Sequence, residues 1–165
     1  MIYIKPYEVF YDSLLCLTFA TKKCIVPRGC QIMCEKLSLW CSYQSIIFNL
    51  KQHPVYPCFA ILTAFNPRSI VLSKRENLDR NAQMAAELST LVPELLPITC
   101  SGLDGQWQEP GFVVPLSLAK VRQLARQWEQ NAIYWVEDNE LFLVPVLIEG
   151  QEIQRLGDWP SFLYT

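Results

Sequence analysis

The sequence predicts an α+β fold, a ferredoxin-like sandwich in which a mostly antiparallel sheet carries two helices on one face, plus an N-terminal appendage. Three observations predict it: an unbroken apolar run over residues 59–65, two stretches with helical spacing that each begin at a serine, and short strand-like segments between and after them. From residue 59 onward the predicted order is strand, helix, strand, strand, helix, strand, strand. Two strand–helix–strand units split by a hairpin are typical of this sandwich.

The first strand and the first helix give the clearest signals. Residues 59–65 read FAILTAF, which has the length of a strand and is apolar on both faces. Asn66-Pro67 must end that strand, because proline lacks a backbone N–H and restricts the residue before it. Ser73 and Glu76 have the spacing of a capping box, which predicts a helix from about residue 74 to about residue 91. Its apolar stripe is predicted at Leu78, Ala82, Ala85, Ser89 and Val92, with Asn77 and Asn81 at the edge and Arg80, Gln83 and Glu87 pointing away.

Shorter elements complete the predicted fold. Strands are expected near residues 45–50, 98–101, 112–114, 132–136 and 141–148. Ser117 is expected to cap a second helix that ends near Gln130 and Asn131. Pro145 within the last strand favours an edge or bulge position. The aromatic residues of the C-terminal tail are expected to dock on the body of the domain.

Length and composition indicate how many domains the chain forms and which classes of protein are disfavoured. It has 165 residues, of which 51% are hydrophobic, enough for one domain with an appendage. Residues 1–36 show no clear helical or strand period and are treated as an extension of unclear structure, while residues 37–165 form a single α+β domain. A net charge of −2 argues against a nucleic-acid-binding protein. No apolar run reaches the roughly 20 residues of a membrane span.

The cysteines and the histidine favour a cytoplasmic protein without a bound metal. An odd count of seven cysteines without a credible signal peptide indicates reduced thiols. The cysteine spacings contain no C-x2-C pair, and His53 is the only histidine. No phosphate loop or glycine-rich dinucleotide motif is present, so no cofactor is expected.

Four motifs in order resemble a known bacterial family. They are LTAFNPRS, S-x-x-E-N-x-x-R-N, GLDGQWQEPGF and WEQNAIYW. Their combination resembles domain of unknown function 3293 over about residues 39–146. The family pattern has tryptophan where Phe65 stands, serine where Gly111 stands and glycine where Glu129 stands. Because a hydroxyl is missing at Gly111, a nucleophile there is disfavoured. The family has no established activity, so the resemblance implies a fold and the location of a site rather than a function.

The motif residues lie at the ends of predicted elements, where some of them could converge on one polar pocket. Arginine beside helix N-terminal N–H groups can hold an anion, and Glu109, with Glu76 as its partner, could act as a general acid or base. The catalytic candidate is Glu109. The binding candidates are Asn66, Arg68, Ser69, Asn77, Arg80, Asn81, Asp104, Trp107, Gln130 and Asn131.

Each candidate also has a purely structural interpretation, which the sequence leaves open. Asn66-Pro67 could be only a turn, and Glu76 only a helix cap. Asn77 could tie its helix to nearby backbone carbonyls. Glu109 could pair with Arg68 or Arg80 as a structural ion pair.

Three functional hypotheses follow. The leading one is a soluble cytosolic binding or interaction module with an amide- and arginine-rich pocket, for a small polar ligand or a protein partner, with a homodimer as an open alternative. The second is a small enzyme that acts on a polar or anionic substrate, with Glu109 as acid/base and Arg68 or Arg80 as anion clamp. The third is RNA binding on the sheet face, since aromatic residues occur on several strands. An enzyme requires a concave site in which Glu109 has a perturbed pKa.

Overall fold

The structure of the protein, a computed structural model, describes residues 39–164. The predicted N-terminal extension, residues 1–36, lies outside the described residues. Residues 39–44 are helical, and short 3-10 helices occupy Pro67–Ser69 and Trp159–Phe162. The main elements that follow residue 45 are β1 (Ile46–Asn49), β2 (Cys58–Thr63), α1 (Lys74–Leu88), β3 (Leu96–Gly102), β4 (Gln108–Val114), α2 (Leu118–Gln127), β5 (Ala132–Glu137), β6 (Glu140–Pro145) and β7 (Gln154–Asp158).

The strands form a seven-stranded sheet in the order β1-β3-β4-β2-β5-β6-β7, and every neighbouring pair is antiparallel. The sheet is curled, so that the segment after β7 returns to β1. Phe48 and Leu163 form an isolated parallel bridge, and the backbone N–H of Tyr164 donates to the carbonyl of Phe48 at 2.8 Å. On the inner side of the curl, the indole of Trp40 donates to the side chain of Gln154 on β7 at 3.1 Å.

The two faces of the sheet bury two separate apolar clusters. In β2, Phe59 and Ile61 belong to the cluster inside the curl, whereas Ala60 and Leu62 belong to the cluster under the helices. Because both faces of β2 are buried, its sequence is a continuous apolar run rather than an alternating one. Both helices contribute to the second cluster, through Met84, Leu88, Val121, Leu124 and Ala125.

The predicted α+β class is confirmed, with an antiparallel sheet and two helices on one of its faces, but the ferredoxin-like sandwich is not. β1, β6 and β7 extend the sheet well beyond four strands, and the sheet curls. β7 was not predicted, because its sequence QRLGD has no apolar alternation. Pro145 is the last residue of β6, an interior strand, and therefore removes no donor from the middle of a ladder.

The N-terminus of α1 agrees with the sequence, and its buried face does not. Ser73 and Glu76 form the predicted capping box. The predicted apolar stripe is wrong: Leu78 is 47% exposed, whereas Asn77 is 4% exposed. Asn77 lies inward because its side chain bonds to Asn66 in the loop that follows β2. The helix therefore faces the sheet with Asn77, Met84 and Leu88.

The second helix is shorter than predicted. The Ser117 hydroxyl accepts from the backbone N–H of Lys120 at 3.4 Å, as the N-cap prediction requires. The helix ends at Gln127 rather than near Gln130, and Glu129 adopts a left-handed φ of 58°. A left-handed residue cannot continue a right-handed helix, so the chain turns here toward β5.

Candidate functional site

Glu109 is a buried carboxyl on the inner face of the sheet. It lies on β4 opposite Cys100 of β3 and is 7% exposed. Asn66 Nδ2 donates to Glu109 Oε1 at 2.7 Å, and Thr63 Oγ1 lies 3.3 Å from Glu109 Oε2. Burial raises the pKa of Glu109 to about 7, while hydrogen bonds from Asn66, Thr63 and the Trp107 indole lower it in part. Among residues 39–164, no basic side chain forms an ion pair with this carboxyl.

Asn66 and Asn77 form a reciprocal pair that fixes the loop between β2 and α1. The Asn66 backbone N–H donates to Asn77 Oδ1 at 2.8 Å, and Asn77 Nδ2 donates to Asn66 Oδ1 at 2.9 Å. The backbone N–H of Leu72 donates to the same Asn66 oxygen at 3.1 Å. The carboxyl of Glu109 is thereby connected through Asn66 to the first turn of α1.

Gln130 closes the network on the side of α2. Its Oε1 accepts from Thr63 Oγ1 at 2.9 Å, and its Nε2 donates to the carbonyls of Phe65 and Trp128 at 3.2 and 3.3 Å. Gln130 is 8% exposed, so these bonds replace water almost completely. Thr63, Asn66, Asn77, Glu109 and Gln130 are called the Glu109 network below.

Two strained loops meet beside this network. Asn66, Arg68 and Ser69 have φ of 48°, 54° and 60°, and Glu129 in the facing loop has φ of 58°. The Arg68 N–H donates to the Glu129 carbonyl at 2.7 Å, which joins the two loops. A left-handed conformation costs a residue other than glycine about 1–3 kcal/mol, and such residues cluster at functional sites.

Both arginines of the predicted site are directed at other partners than Glu109. Arg80, which was predicted to point away from the protein, donates to the carbonyls of Ala64 and Trp128 at 2.8 Å each and lies 5.5 Å from the centre of the Trp128 ring. Arg68 pairs with Glu129 at 2.9 Å, and both side chains are exposed. The ion pair between Glu109 and Arg68 or Arg80, one of the interpretations that the sequence left open, therefore does not form.

A partly exposed rim of hydroxyl and amide groups lies next to the network. The Ser69 hydroxyl is 2.7 Å from the Tyr43 hydroxyl and accepts from Asn131 Nδ2 at 3.0 Å. The Tyr134 hydroxyl donates to the backbone carbonyl of Tyr43 at 2.8 Å. Burial raises the pKa of Tyr43, and the nearby carboxyl of Glu109 adds to the effect.

Residues 62–133 match the family DUF3293, described as "Protein of unknown function". The resemblance predicted from the motifs is confirmed over this segment. All five residues of the Glu109 network lie within it, whereas β1, β6 and β7 lie outside it. Comparison with curated proteins and with solved structures gives no match.

The close approach of β2 to β4 explains the glycine at position 111. A Cβ at this position would lie 2.5 Å from the Leu62 carbonyl oxygen and 3.0 Å from Thr63 Cγ2. The approach to a backbone atom leaves no room for a side chain unless β2 and β4 separate. Glycine here keeps β2 close to β4 beside the Thr63 side chain.

Trp107, directly before β4, donates to Glu109, whereas Asp104 and Asn81 do not join the network. Asp104 is exposed, and its carboxylate accepts from the backbone N–H of Gln106 at 3.1 Å within the turn. Asn81 Oδ1 is buried without a hydrogen-bond partner among the described residues. Thr63 and Tyr43 were missed by the sequence analysis. The one available signal was that Thr63 is the single polar residue in the run FAILTAF.

Two depressions of the surface lie away from this network. These two open depressions of about 510 and 350 Å³ are lined by β1, the turn after β3 and the C-terminal residues, and neither is lined by a predicted site residue. Within residues 39–164, no group of three His, Cys, Asp or Glu side chains could hold a metal ion. Each helix in that range is too short or too polar to cross a membrane.

Proposed function

We propose that the protein is a cytoplasmic binding module that takes a small polar molecule at the Glu109 network. The observation that carries this proposal is a buried carboxyl held only by uncharged groups at the point where two strained loops meet. Burial without a cation makes ionisation of Glu109 unfavourable, and perturbed ionisable groups of this kind concentrate at functional sites.

The surroundings of Glu109 favour a ligand with several hydrogen-bonding groups. The nearest polar groups are amides and hydroxyls, and the two arginines that could have held an anion already bond to other partners. The rim of Ser69, Tyr43 and Asn131 supplies the exposed edge from which a ligand would approach. Entry to Glu109 requires the Asn66–Ser69 loop to move, and the left-handed residues of that loop lower the cost of moving it.

A thermal-shift screen tests the proposal. The full chain is screened against nucleotides, amino acids, sugars and phosphorylated metabolites, with Glu109→Gln and Glu94→Gln, an exposed carboxyl outside the network, measured beside it. A ligand at about 100 times its Kd stabilises the native state by about 2.7 kcal/mol, which corresponds to a rise in Tm of roughly 5–10 °C for a domain of this size. The expected result is a hit that Glu109→Gln loses and the control Glu94→Gln keeps. A screen without hits, or hits that Glu109→Gln retains in full, would contradict the proposal.

An enzymatic role is the second candidate, and the pKa of Glu109 favours it. A group with a pKa of about 7 is well suited to give and take protons at neutral pH. Turnover of any hit by the wild type, with at least a hundredfold loss in Glu109→Gln, would support catalysis over binding alone. RNA binding on the sheet gains no such support, since Phe48, Tyr134 and Trp135 on the strands are buried.

A protein partner is the alternative to a small ligand. Ile70 and Val71, directly after the strained loop, are 60% and 73% exposed. Loss of partner capture in Val71→Ser, with every small-molecule hit absent, would favour this alternative.

We also propose that residues 58–137 form a ferredoxin-like unit within the larger sheet. The order β3-β4-β2-β5 and the position of both helices on one face support this assignment. An experimental structure in which β4 does not pair with β2 would contradict it.

A further inference from the structure

Backbone groups fix the orientation of the side-chain amides in the Glu109 network. The backbone N–H of Leu72 donates to Asn66 Oδ1, so Asn66 must turn its NH₂ group toward Glu109. Gln130 places its NH₂ group against the carbonyls of Phe65 and Trp128, which leaves Oε1 facing Thr63. A backbone N–H only donates and a carbonyl only accepts. Neither amide can be reversed without opposing two donors or two acceptors.

The Thr63 hydroxyl has one proton and two neighbouring acceptors. Gln130 Oε1 lies at 2.9 Å and Glu109 Oε2 at 3.3 Å. When Glu109 is protonated, the acid donates to Thr63 and Thr63 donates to Gln130, so every group has its partner. When Glu109 is ionised, it keeps the hydrogen bonds from Asn66 and Trp107, and its Oε2 competes with Gln130 Oε1 for the single threonine proton.

We propose that Thr63 is a positioning residue that transmits the charge state of Glu109 to Gln130 and so regulates access to the ligand site. In the ionised state the Thr63 hydroxyl turns to the carboxylate, and Gln130 Oε1 loses its donor. Gln130 holds the carbonyls of Phe65 and Trp128, the residues that precede the two strained loops. Loss of its anchor therefore loosens both loops together. The regulatory part of this inference rests on the proposed binding function.

Glu109 is the group whose ionisation would operate this switch. The titratable side chains that face it are Cys100 from β3, Tyr43 from the helical segment 39–44 and Tyr134 from β5. Burial raises the pKa of each of these three, which places their ionisation above that of Glu109. The side chains that β2, α1 and the end of α2 add to the network are uncharged, and the guanidinium of Arg80 bonds to backbone carbonyls.

A ligand-free NMR titration tests the inference. The ¹³C signal of the Glu109 carboxyl and the side-chain NH₂ signals of Gln130 are followed in the full chain from about pH 5 to about pH 9. In the wild type we expect both to change with one midpoint, near the Glu109 pKa of about 7. In Thr63→Val we expect the Glu109 carboxyl signal to titrate while the Gln130 NH₂ signals no longer change with it. In Thr63→Ser, which restores the hydroxyl, we expect both signals to share one midpoint again. The control Glu94→Gln, an exposed carboxyl outside the network and both loops, should leave the common midpoint in place.

Two results would overturn the inference. One is a Gln130 signal that does not change with Glu109 in the wild type, and the other is a Gln130 signal that still follows Glu109 in Thr63→Val. If Thr63→Val does not fold, Glu109→Gln serves instead, because in that variant the Gln130 signals must lose their pH response. The titration uses no ligand, so a failed ligand screen refutes the proposed function without touching this result.

Discussion

Replacing the Glu109 carboxyl by an amide is expected to stabilise the folded protein above neutral pH. Glu109→Gln has the shape of the protonated acid. Its oxygen can accept from Asn66 Nδ2, and its NH₂ group can donate to Thr63, so the bonds of the network are kept. The variant removes only the need to ionise a buried group.

The direction of the pH dependence follows from the raised pKa. The folded protein holds the Glu109 proton up to a pKa of about 7, whereas the unfolded chain releases it near 4.5. Between these values the unfolded state binds fewer protons, so the free energy of unfolding falls as the pH rises. The contribution of the protonated carboxyl is complete below pH 4.5 and is lost as the pH rises through 7.

The magnitude follows from the same two values. Each unit of pKa is worth about 1.4 kcal/mol, so a rise from 4.5 to about 7 corresponds to about 3 kcal/mol at pH 8. Glu109 is only 7% exposed, so solvent screening reduces this value little. We therefore expect Glu109→Gln and the wild type to be about equally stable near pH 4.5 and to differ by about 3 kcal/mol near pH 8.

Urea unfolding followed by tryptophan fluorescence at several pH values measures this difference. Glu76→Gln is the control with the opposite sign. Hydrogen bonds with Ser73 lower the pKa of Glu76, so its contribution is present at neutral pH and is lost as the pH falls through the folded pKa. A difference between Glu109→Gln and the wild type that is the same at every pH, or a destabilised Glu109→Gln at pH 8, would refute the reasoning.

Two further substitutions test the packing around the network. Asn77→Ala should lower the free energy of unfolding by about 2 kcal/mol, because the half-buried N–H of Asn66 loses its acceptor. Asn81→Ala, one turn further along α1, should change the free energy of unfolding by less than about 0.5 kcal/mol, since Asn81 Oδ1 has no partner to lose. Equal effects of the two substitutions in urea unfolding would contradict this prediction. Gly111→Ala should cost about 1–3 kcal/mol, because its Cβ would approach a carbonyl oxygen of β2 to 2.5 Å. Gly102→Ala is the control, because the atom nearest to its Cβ belongs to a flexible side chain. Tm values of the two variants that differ by less than about 1 °C would count against the prediction.

Local signals in the sequence were enough to predict the elements that depend on local interactions. The capping box of α1 needs only Ser73 and Glu76, four residues of chain, and it forms as predicted. β2 was predicted because it is apolar on both faces and is followed by Asn66-Pro67. β7 was missed because a polar edge strand is held by contacts distant in sequence, such as the bond between Arg155 and Glu140.

The same distinction explains the candidate site. The motif residues were expected at element ends, where some of them could converge, and the structure brings Asn66, Glu109 and Gln130 together. The destinations of Arg68 and Arg80 could not be predicted, because their partners lie after β2 and after α2 and depend on how these two elements pack.

The closure of the curled sheet determines the order in which the chain can fold. The bridge between Phe48 and Leu163 joins positions more than a hundred residues apart. Bringing these positions together costs chain entropy before the contact can stabilise the fold. We therefore expect the central strands to assemble first and the C-terminal segment to close onto β1 last. Until then the edge of β1 and the inner cluster around Trp159 are open to other chains, and aggregation during refolding should begin there.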